Sequence, residues 1–243
     1  MDSSKYIALR KRGMIEQADI DKYMVCNREE LFAMTLVNEP VLRTVAFNIL
    51  SKRYLNEEVF SNHLLNKLSV EKCLYTRLEI CRILELGNLS TAEKMLEYLG
   101  TIGDNQYKEL PNRSSKKESY PLPRDIIART LANMNIVIFP MLITSLSSKP
   151  DLVIAEILDA IGFMVFYHQE LATEENLKCI LDCMDRYEKQ PVIYWKIITC
   201  LSAFPQDKVH AILKLLIEES SEPLFVEEAK RSLALITKNS KTG

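Results

Sequence analysis

The sequence predicts an all-α protein, and three observations support this prediction. Apolar residues recur at helical spacing in one segment after another, as at Val41, Val45 and Ile49. No stretch alternates apolar and polar residues for long enough to predict a strand. Only 6 glycines and 9 prolines occur among 243 residues, too few for the many tight turns of a β-sandwich.

Twelve amphipathic segments follow one another along the chain. The predicted helices span residues 28–37, 41–54, 59–68, 75–86, 90–99, 124–134, 137–146, 151–167, 174–187, 192–204, 208–219 and 224–237. Glu29 stands in the first turn of the first segment, where the helix dipole favours an acid. Ser90 and Glu93 have the spacing of a capping box, Gly87 follows the fourth segment, and Thr173 precedes the ninth as a candidate N-cap.

The helices come in pairs and share a repeating frame. Counted from Pro40, apolar or small residues follow two, six and ten positions later, at Leu42, Ala46 and Leu50. Thr44 lies off this stripe and is expected to be exposed. The same frame fits, in part loosely, from five further anchors: Leu74, Arg124, Asp151, Pro191 and Pro223. Most of the spacings between successive anchors are close to the number of residues in one helical-pair repeat.

The run Asn38-Glu39-Pro40-Val41-Leu42-Arg43, followed by Ala46 and Leu50, resembles the second helix of HEAT repeats. Residues 148–162 and 221–233 are similar, and the resemblance covers residues 28–238. It implies a right-handed α-α superhelix, an armadillo-like α-solenoid of about six degenerate helical pairs with the second helices on its concave face. Arg43 and Arg77 occupy the inner-helix arginine position of the family. A non-repeating helical bundle is the alternative.

The frame predicts a single domain over residues 1–243. Residues 1–27 are expected to form an N-terminal capping helical segment, and residues 239–243 a disordered tail. Residues 100–123 are rich in Gly, Pro, Asn and Ser. They are predicted to be a surface loop inserted within one repeat and not a domain boundary.

Composition excludes several classes of protein. There are 31 basic and 33 acidic residues, a formal net charge of −2, which is not typical of a general nucleic-acid binder. No apolar run approaches the length of a membrane span, and the basic residues 10–12 precede no apolar signal region. The 6 cysteines are expected to be buried thiols in a reducing cytosol, so the predicted location is cytoplasmic.

No residue pattern points to catalysis. The 3 histidines lack metal-ligand spacing, and glycine-rich phosphate loops and nucleophile elbows are absent from the sequence. Cys179 and Cys183 lie one helical turn apart, but two further ligands of a tetrahedral metal site are missing. We therefore expect no enzyme activity, no cofactor and no metal.

Charge is distributed unevenly along the chain. Residues 100–149 hold seven basic and four acidic residues, or +3, whereas residues 150–190 hold three basic and nine acidic residues, or −6. The acidic window is either an ordinary solvated helix surface or a ridge that selects a basic peptide, with Glu156 and Asp159 as candidate contacts.

Tyr194-Trp195-Lys196 is the second candidate binding feature, because tryptophan and tyrosine are enriched in binding hot spots. Ile193 and Ile197 are expected to face the core, which turns Trp195 toward the side or the inner surface. The alternative is that Trp195 packs between adjacent repeats.

Two functions are compatible with these features. The first is a non-enzymatic scaffold that binds a protein or peptide, basic if the acidic ridge is the contact, on the concave ridge of inner helices. The alternative is a repair protein similar to the HEAT-like alkylpurine DNA glycosylases, whose groove is basic and aromatic with a catalytic aspartate. The low overall basicity makes nucleic acid the less expected partner. The oligomeric state stays open.

Overall fold

A computed structural model describes residues 3–239, and within this range the chain forms α-helices and two one-turn 3-10 helices but no strand. The all-α prediction is confirmed for these residues. The predicted tail, residues 239–243, lies outside the described range except for its first residue. The chain divides into two compact units, Met1–Tyr98 and Leu99–Gly243. The single-domain organisation therefore stays a prediction, and each unit is described by itself.

The first unit contains seven helices within its described residues. They are α1 (Ser3–Arg10), α2 (Gln17–Tyr23), α3 (Arg28–Met34), α4 (Pro40–Tyr54), α5 (Glu58–Val70), α6 (Leu74–Glu85) and α7 (Leu89–Leu96). Helix α4 packs against α2, α3 and α6, and α5 packs against α6 and α7. Helices two apart along the chain are thus side-by-side neighbours, the arrangement expected when paired helices share a core with the next pair.

The second unit contains seven more helices within its described residues. They are α8 (Ile126–Ala132), α9 (Phe139–Ser145), α10 (Asp151–Tyr167), α11 (Glu174–Arg186), α12 (Pro191–Leu201), α13 (Asp207–Glu219) and α14 (Pro223–Asn239). Helix α10 packs against α8 and α12, and α12 packs against α14. We call α8, α10, α12 and α14 the even row. Helices α9, α11 and α13 pack on α10, α12 and α14 respectively.

The anchors of the repeating frame coincide with helix starts. Pro40, Pro191 and Pro223 are the first residues of α4, α12 and α14, where the missing N–H of proline costs no hydrogen bond. Two anchors that are not prolines, Asp151 and Leu74, are likewise the first residues of α10 and α6. The repeat frame therefore selects the starts of five helices.

The helix caps agree with the sequence at two ends and differ at a third. Glu29 lies in the first turn of α3, and Thr173 caps α11 by accepting a hydrogen bond from the backbone of Asn176. The predicted capping box of Ser90 and Glu93 is wrong. Asn88 is the N-cap of α7 and accepts from the Thr91 backbone N–H at 3.1 Å, so the helix begins before Ser90.

The frame places Ala46 correctly in the core but misplaces Thr44. Ala46 is fully buried, as predicted, and Thr44 is only 2% exposed. The Thr44 hydroxyl lies 2.9 Å from the Pro40 carbonyl and 2.8 Å from the Thr76 hydroxyl. The expected exposure of Thr44 is wrong because these hydrogen bonds allow a polar side chain to be buried.

None of the helices within residues 3–239 is by itself long and apolar enough to cross a membrane. Only the pair Ile126–Ala132 and Ile136–Ser145, which is bent by 111°, has the required length and composition when taken together.

The segment 100–123 follows an irregular path, and several of its side chains enter the core of the second unit. Ile102, Gln106, Tyr120 and Pro123 are buried. Asp125, just beyond the segment, is fully buried, accepts hydrogen bonds from the backbone of Gly100 and the amide of Gln106, and caps α8. The segment is thus partly a core element, which its loop-like composition did not predict.

Tyr120 lies against a glycine in the middle of α10. A methyl group built on Gly162 would overlap the Tyr120 hydroxyl. The phenol ring also contacts the rings of Phe163 and Phe166, with centroid distances of 6.3 and 5.7 Å. A helix-interior glycine, normally unfavourable, is therefore explained by the close approach of Tyr120.

We predict that Ala46→Glu lowers the free energy of unfolding by at least about 3 kcal/mol, because it buries a carboxylate without a partner. Lys52→Glu introduces the same residue at an exposed site of the same helix and should cost about 0.5 kcal/mol or less. Urea unfolding curves of both variants and the wild type test the comparison. Similar midpoints for the two variants would refute the helical phase of α4.

We predict that Gly162→Ala destabilises the second unit by about 1–3 kcal/mol through overpacking against Tyr120. At an unconstrained helix site the same change stabilises by about 1 kcal/mol. In a Tyr120→Ala background, Gly162→Ala should therefore be neutral or stabilising. A double-mutant cycle from urea unfolding measures the coupling, and strictly additive effects would contradict the packing described.

Candidate functional site

A cavity of about 690 Å³ lies between the segment 107–124 and three helices of the even row. Its volume is in the range of ligand-binding clefts. We call it the Trp195 cavity. Its lining consists of Tyr107, Pro111, Asn112, Arg113, Ser114, Ser115, Lys116, Lys117, Pro121, Leu122, Arg124, Asp159, Trp195, Thr199 and Glu228.

An aromatic stack forms one part of the lining. Tyr107 meets Trp195 edge to face, with a centroid distance of 4.9 Å, and the guanidinium of Arg124 lies 4.3 Å from the Tyr107 centroid. Trp195 is 8% exposed, and its indole Nε1 donates to Glu228 Oε2 at 3.4 Å. Trp195 is therefore largely buried against its neighbours, and it is also one of the residues that line the cavity.

A buried lysine stands behind the cavity. Lys196 is 1% exposed, and its Nζ donates to Glu156 Oε1 at 2.8 Å and to Asp159 Oδ2 at 2.9 Å. Glu156 is fully buried, and its other oxygen, Oε2, has no hydrogen-bond partner. A lysine ammonium is buried only where opposite charges compensate its lost hydration. We call these three residues the Lys196 cluster, which joins α12 to α10.

Burial and mutual attraction set the protonation of the Lys196 cluster. Burial raises the pKa of Glu156 to about 7, against the opposing effect of Lys196. Burial likewise raises the pKa of Asp159. Burial alone would lower the pKa of Lys196, but the two carboxylates outweigh it and raise that pKa, so the lysine is cationic at neutral pH.

The polar residues of the site occupy equivalent positions in the repeating frame. Five residues after the anchors Asp151, Pro191 and Pro223 stand Glu156, Lys196 and Glu228, and eight residues after them stand Asp159, Thr199 and Arg231. In the second unit Asp159, eight residues after the anchor of α10, thus bonds Lys196, five residues after the anchor of α12. The same contact joins α4 to α6 in the first unit, where Asn48 Nδ2 donates to Glu79 Oε1 at 2.9 Å.

Arg231 ties the segment 107–124 to α14. Its Nη1 donates to Glu228 Oε1 at 2.7 Å, and its Nη2 donates to the Ser119 carbonyl at 2.7 Å. Burial raises the pKa of Glu228, and the ion pair with Arg231 opposes that shift. Glu118 pairs with Lys238 of α14 at 2.8 Å. The part of the cavity lining that the segment 107–124 supplies is therefore attached to α14 by side chains and is not a free loop.

Four exposed cations line the cavity. Arg113, Lys116, Lys117 and Arg124 are exposed, and none forms an ion pair within the part of the chain that the structure describes. The acids in the lining are already compensated, Asp159 by Lys196 and Glu228 by Arg231. The uncompensated charge at the cavity is positive.

The structure separates the five residues predicted as a binding site. Trp195 and Asp159 line the Trp195 cavity, whereas Lys196 and Glu156 lie buried behind it. Tyr194 packs against Phe225 and lines a different cavity of about 460 Å³ between α11 and α13. Tyr194 and Trp195 thus do not form one surface, because adjacent residues of a helix point in different directions.

Sequence reasoning missed Tyr107, Arg124 and Glu228 as members of the site. Glu228 stands at the frame position of Lys196 and could have been found by extending the frame beyond its apolar positions. The basic window of residues 100–149 contains the four cations. The segment 107–124 has no helical periodicity, however, so the sequence does not indicate that it lies beside α10 and α12.

Residues 3–239 contain no group of three or more His, Cys, Asp or Glu side chains arranged to hold a metal ion. Ile193 and Ile197 are buried as predicted. Cys179 and Cys183 are thiols, and burial raises the pKa of Cys183 to about 11. Because metals bind the thiolate, this burial disfavours a site at the pair.

No family model, no curated protein and no solved structure matches the chain.

We predict that the stability of the protein depends on the titration of Glu156. Because its folded pKa lies above the ordinary value for glutamate, the folded state holds a proton that the unfolded chain releases between about pH 4.5 and 7. Stability from this group therefore falls as pH rises through that range. The unfolding free energy of wild type relative to Glu156→Gln should decrease by about 1 kcal/mol or more from pH 5 to pH 8.

Urea unfolding at several pH values measures this difference. Glu219→Gln, at an exposed position of α13, is the matched control and should parallel the wild type. A profile of Glu156→Gln that also parallels the wild type would contradict the raised pKa.

Proposed function

We propose that the protein is a non-enzymatic interaction module that binds a protein or peptide on the even row, and that its helices are HEAT-like pairs stacked as a right-handed α-solenoid. The Trp195 cavity is the observation that carries the proposal. It combines the largely buried ring of Trp195, apolar Pro111 and Leu122, and four cations without ion pairs among the residues that the structure describes. Buried aromatic anchors within a polar rim are the usual composition of a protein-binding hot spot.

The repeat part of the proposal is supported by contacts at equivalent positions. Asn48 bonds Glu79 in the first unit as Asp159 bonds Lys196 in the second. The two family-like arginines also share one partner, since Arg43 binds the Glu71 carboxylate through two hydrogen bonds of 2.7 and 2.8 Å. Arg77 donates to the Glu71 carbonyl at 2.9 Å. Such recurrence is expected of stacked repeats and not of an irregular bundle.

The DNA-binding alternative has one observation in its favour. The Trp195 cavity brings together aromatic rings, an aspartate and four cations, which is the composition expected of a base-binding groove. Two observations oppose it. Asp159 is engaged by Lys196 at 2.9 Å, and the chain as a whole has a formal net charge of −2, without the excess of base that binding a phosphate backbone needs.

The proposal includes a reducing compartment such as the cytoplasm. Cys183 and Cys200 are buried thiols, and burial raises the pKa of both. Thiols that are both buried and protonated suit a protein whose core needs no disulfide.

We predict that a change at the cavity opening abolishes partner binding without unfolding the protein. Leu122 is 48% exposed and lines the cavity, so Leu122→Glu should keep the fold and add a charge to the binding surface. Leu215→Glu is the matched control, since Leu215 is 51% exposed and lines the other cavity. The wild type, Leu122→Glu and Leu215→Glu are each used to capture partners from native lysate. The captured partners are identified and purified, and each is then titrated against these three proteins.

Loss of a purified partner with Leu122→Glu and its retention with Leu215→Glu is the expected result. Equal binding by both variants, or loss with Leu215→Glu alone, would refute the site. A fluorescent DNA duplex is titrated in parallel at physiological salt. Specific binding of the duplex that depends on Leu122 would favour the alternative function.

A further inference from the structure

We infer that the Trp195 cavity takes an acidic peptide segment, in which carboxylates flank an apolar side chain. This inference rests on the proposed function and names the chemistry of its partner. It differs from the expectation of a basic partner. That expectation counted Glu156 and Asp159 as contacts, whereas both carboxylates are already ion-paired with the buried Lys196.

The charge available to a ligand at the cavity is cationic. Arg113, Lys116, Lys117 and Arg124 line the opening, are exposed and carry no ion pair within residues 3–239. Elsewhere in the same segment Glu118 is already paired with Lys238. Four cations held close together repel one another, and an anionic ligand relieves that repulsion.

The arginine at the aromatic stack is suited to a carboxylate. Arg124 lies over the face of Tyr107 at 4.3 Å, and Tyr107 in turn contacts Trp195. A guanidinium stacked on a ring loses little freedom when its in-plane N–H groups bind a carboxylate through two hydrogen bonds. The stack thus presents a positioned donor beside an apolar surface.

The size and surroundings of the cavity favour a short peptide over a nucleic acid. A space of about 690 Å³ accommodates a few side chains, and Pro111, Leu122 and Trp195 supply the apolar contact. A long polyanion needs a continuous basic track, whereas, within residues 3–239, the cations without ion pairs in the cavity lining are confined to Arg113, Lys116, Lys117 and Arg124. The structure therefore assigns the positive charge to a local and not an extended contact.

The test uses the peptide Glu-Glu-Leu-Glu-Glu and its counterpart Lys-Lys-Leu-Lys-Lys. Trp195 is the only tryptophan of the chain and lines the cavity, so its emission reports binding at this place. We expect the acidic peptide alone to change the emission, with an affinity that falls as salt rises. Lys116→Glu/Lys117→Glu should weaken it roughly tenfold or more, which corresponds to about 1.4 kcal/mol.

Lys178→Glu/Lys214→Glu makes the same charge change at exposed sites of α11 and α13, outside the cavity lining, and should leave the affinity within about twofold. Equal or tighter binding of the lysine peptide, no emission change at millimolar acidic peptide, or tighter binding of a single-stranded oligonucleotide would overturn the inference.

The two proposals fail in different ways. A purified partner that depends on Leu122 but not on Lys116 and Lys117 would leave the interaction function standing and refute the acidic segment. A partner that depends on neither would refute both.

Discussion

The structure of the second unit depends on the burial of one ammonium group. Lys196 is held between Glu156 and Asp159, so α12 has one register relative to α10 in which that charge is compensated. Removing one member of such a cluster commonly costs about 3–5 kcal/mol, although an apolar replacement of the whole cluster can be neutral. Breaking the cluster is therefore costly even where the intact cluster adds little net stability. Trp195 and Asp159 reach the cavity because this register places them there.

The helices and their starts were predictable because their causes are local. Apolar periodicity located α10 at both ends, and proline at the first position marked α4, α12 and α14. Thr44 shows the limit of that signal. Hydrophobicity assigns a threonine to the surface, whereas its hydroxyl is satisfied by the Pro40 carbonyl and by Thr76 on the neighbouring helix. A partner 32 residues away along the chain is not visible in a local pattern.

The binding site was predictable only in part, for a similar reason. Trp195 stood out by composition, but its contact with Tyr107 depends on how an aperiodic segment crosses the even row. The charge window of residues 150–190 counts Glu156 and Asp159 but not Lys196, whereas packing brings both carboxylates within hydrogen-bond distance of that ammonium group. What the windows measured correctly is the excess of base in residues 100–149, because the four cations of that window that line the cavity are exposed.

Within the segment 100–123, the residues that determine the path of the backbone differ from the residues that a ligand would contact. Tyr120 against Gly162, the Ser119 carbonyl on Arg231 and Asp125 at the start of α8 determine where the backbone runs. The exposed side chains between Arg113 and Lys117 have no part in those contacts. Substitutions among these exposed residues can change what the cavity recognises while the path of the backbone is preserved. Ligand preference in this architecture can therefore diverge by point mutation faster than the fold itself.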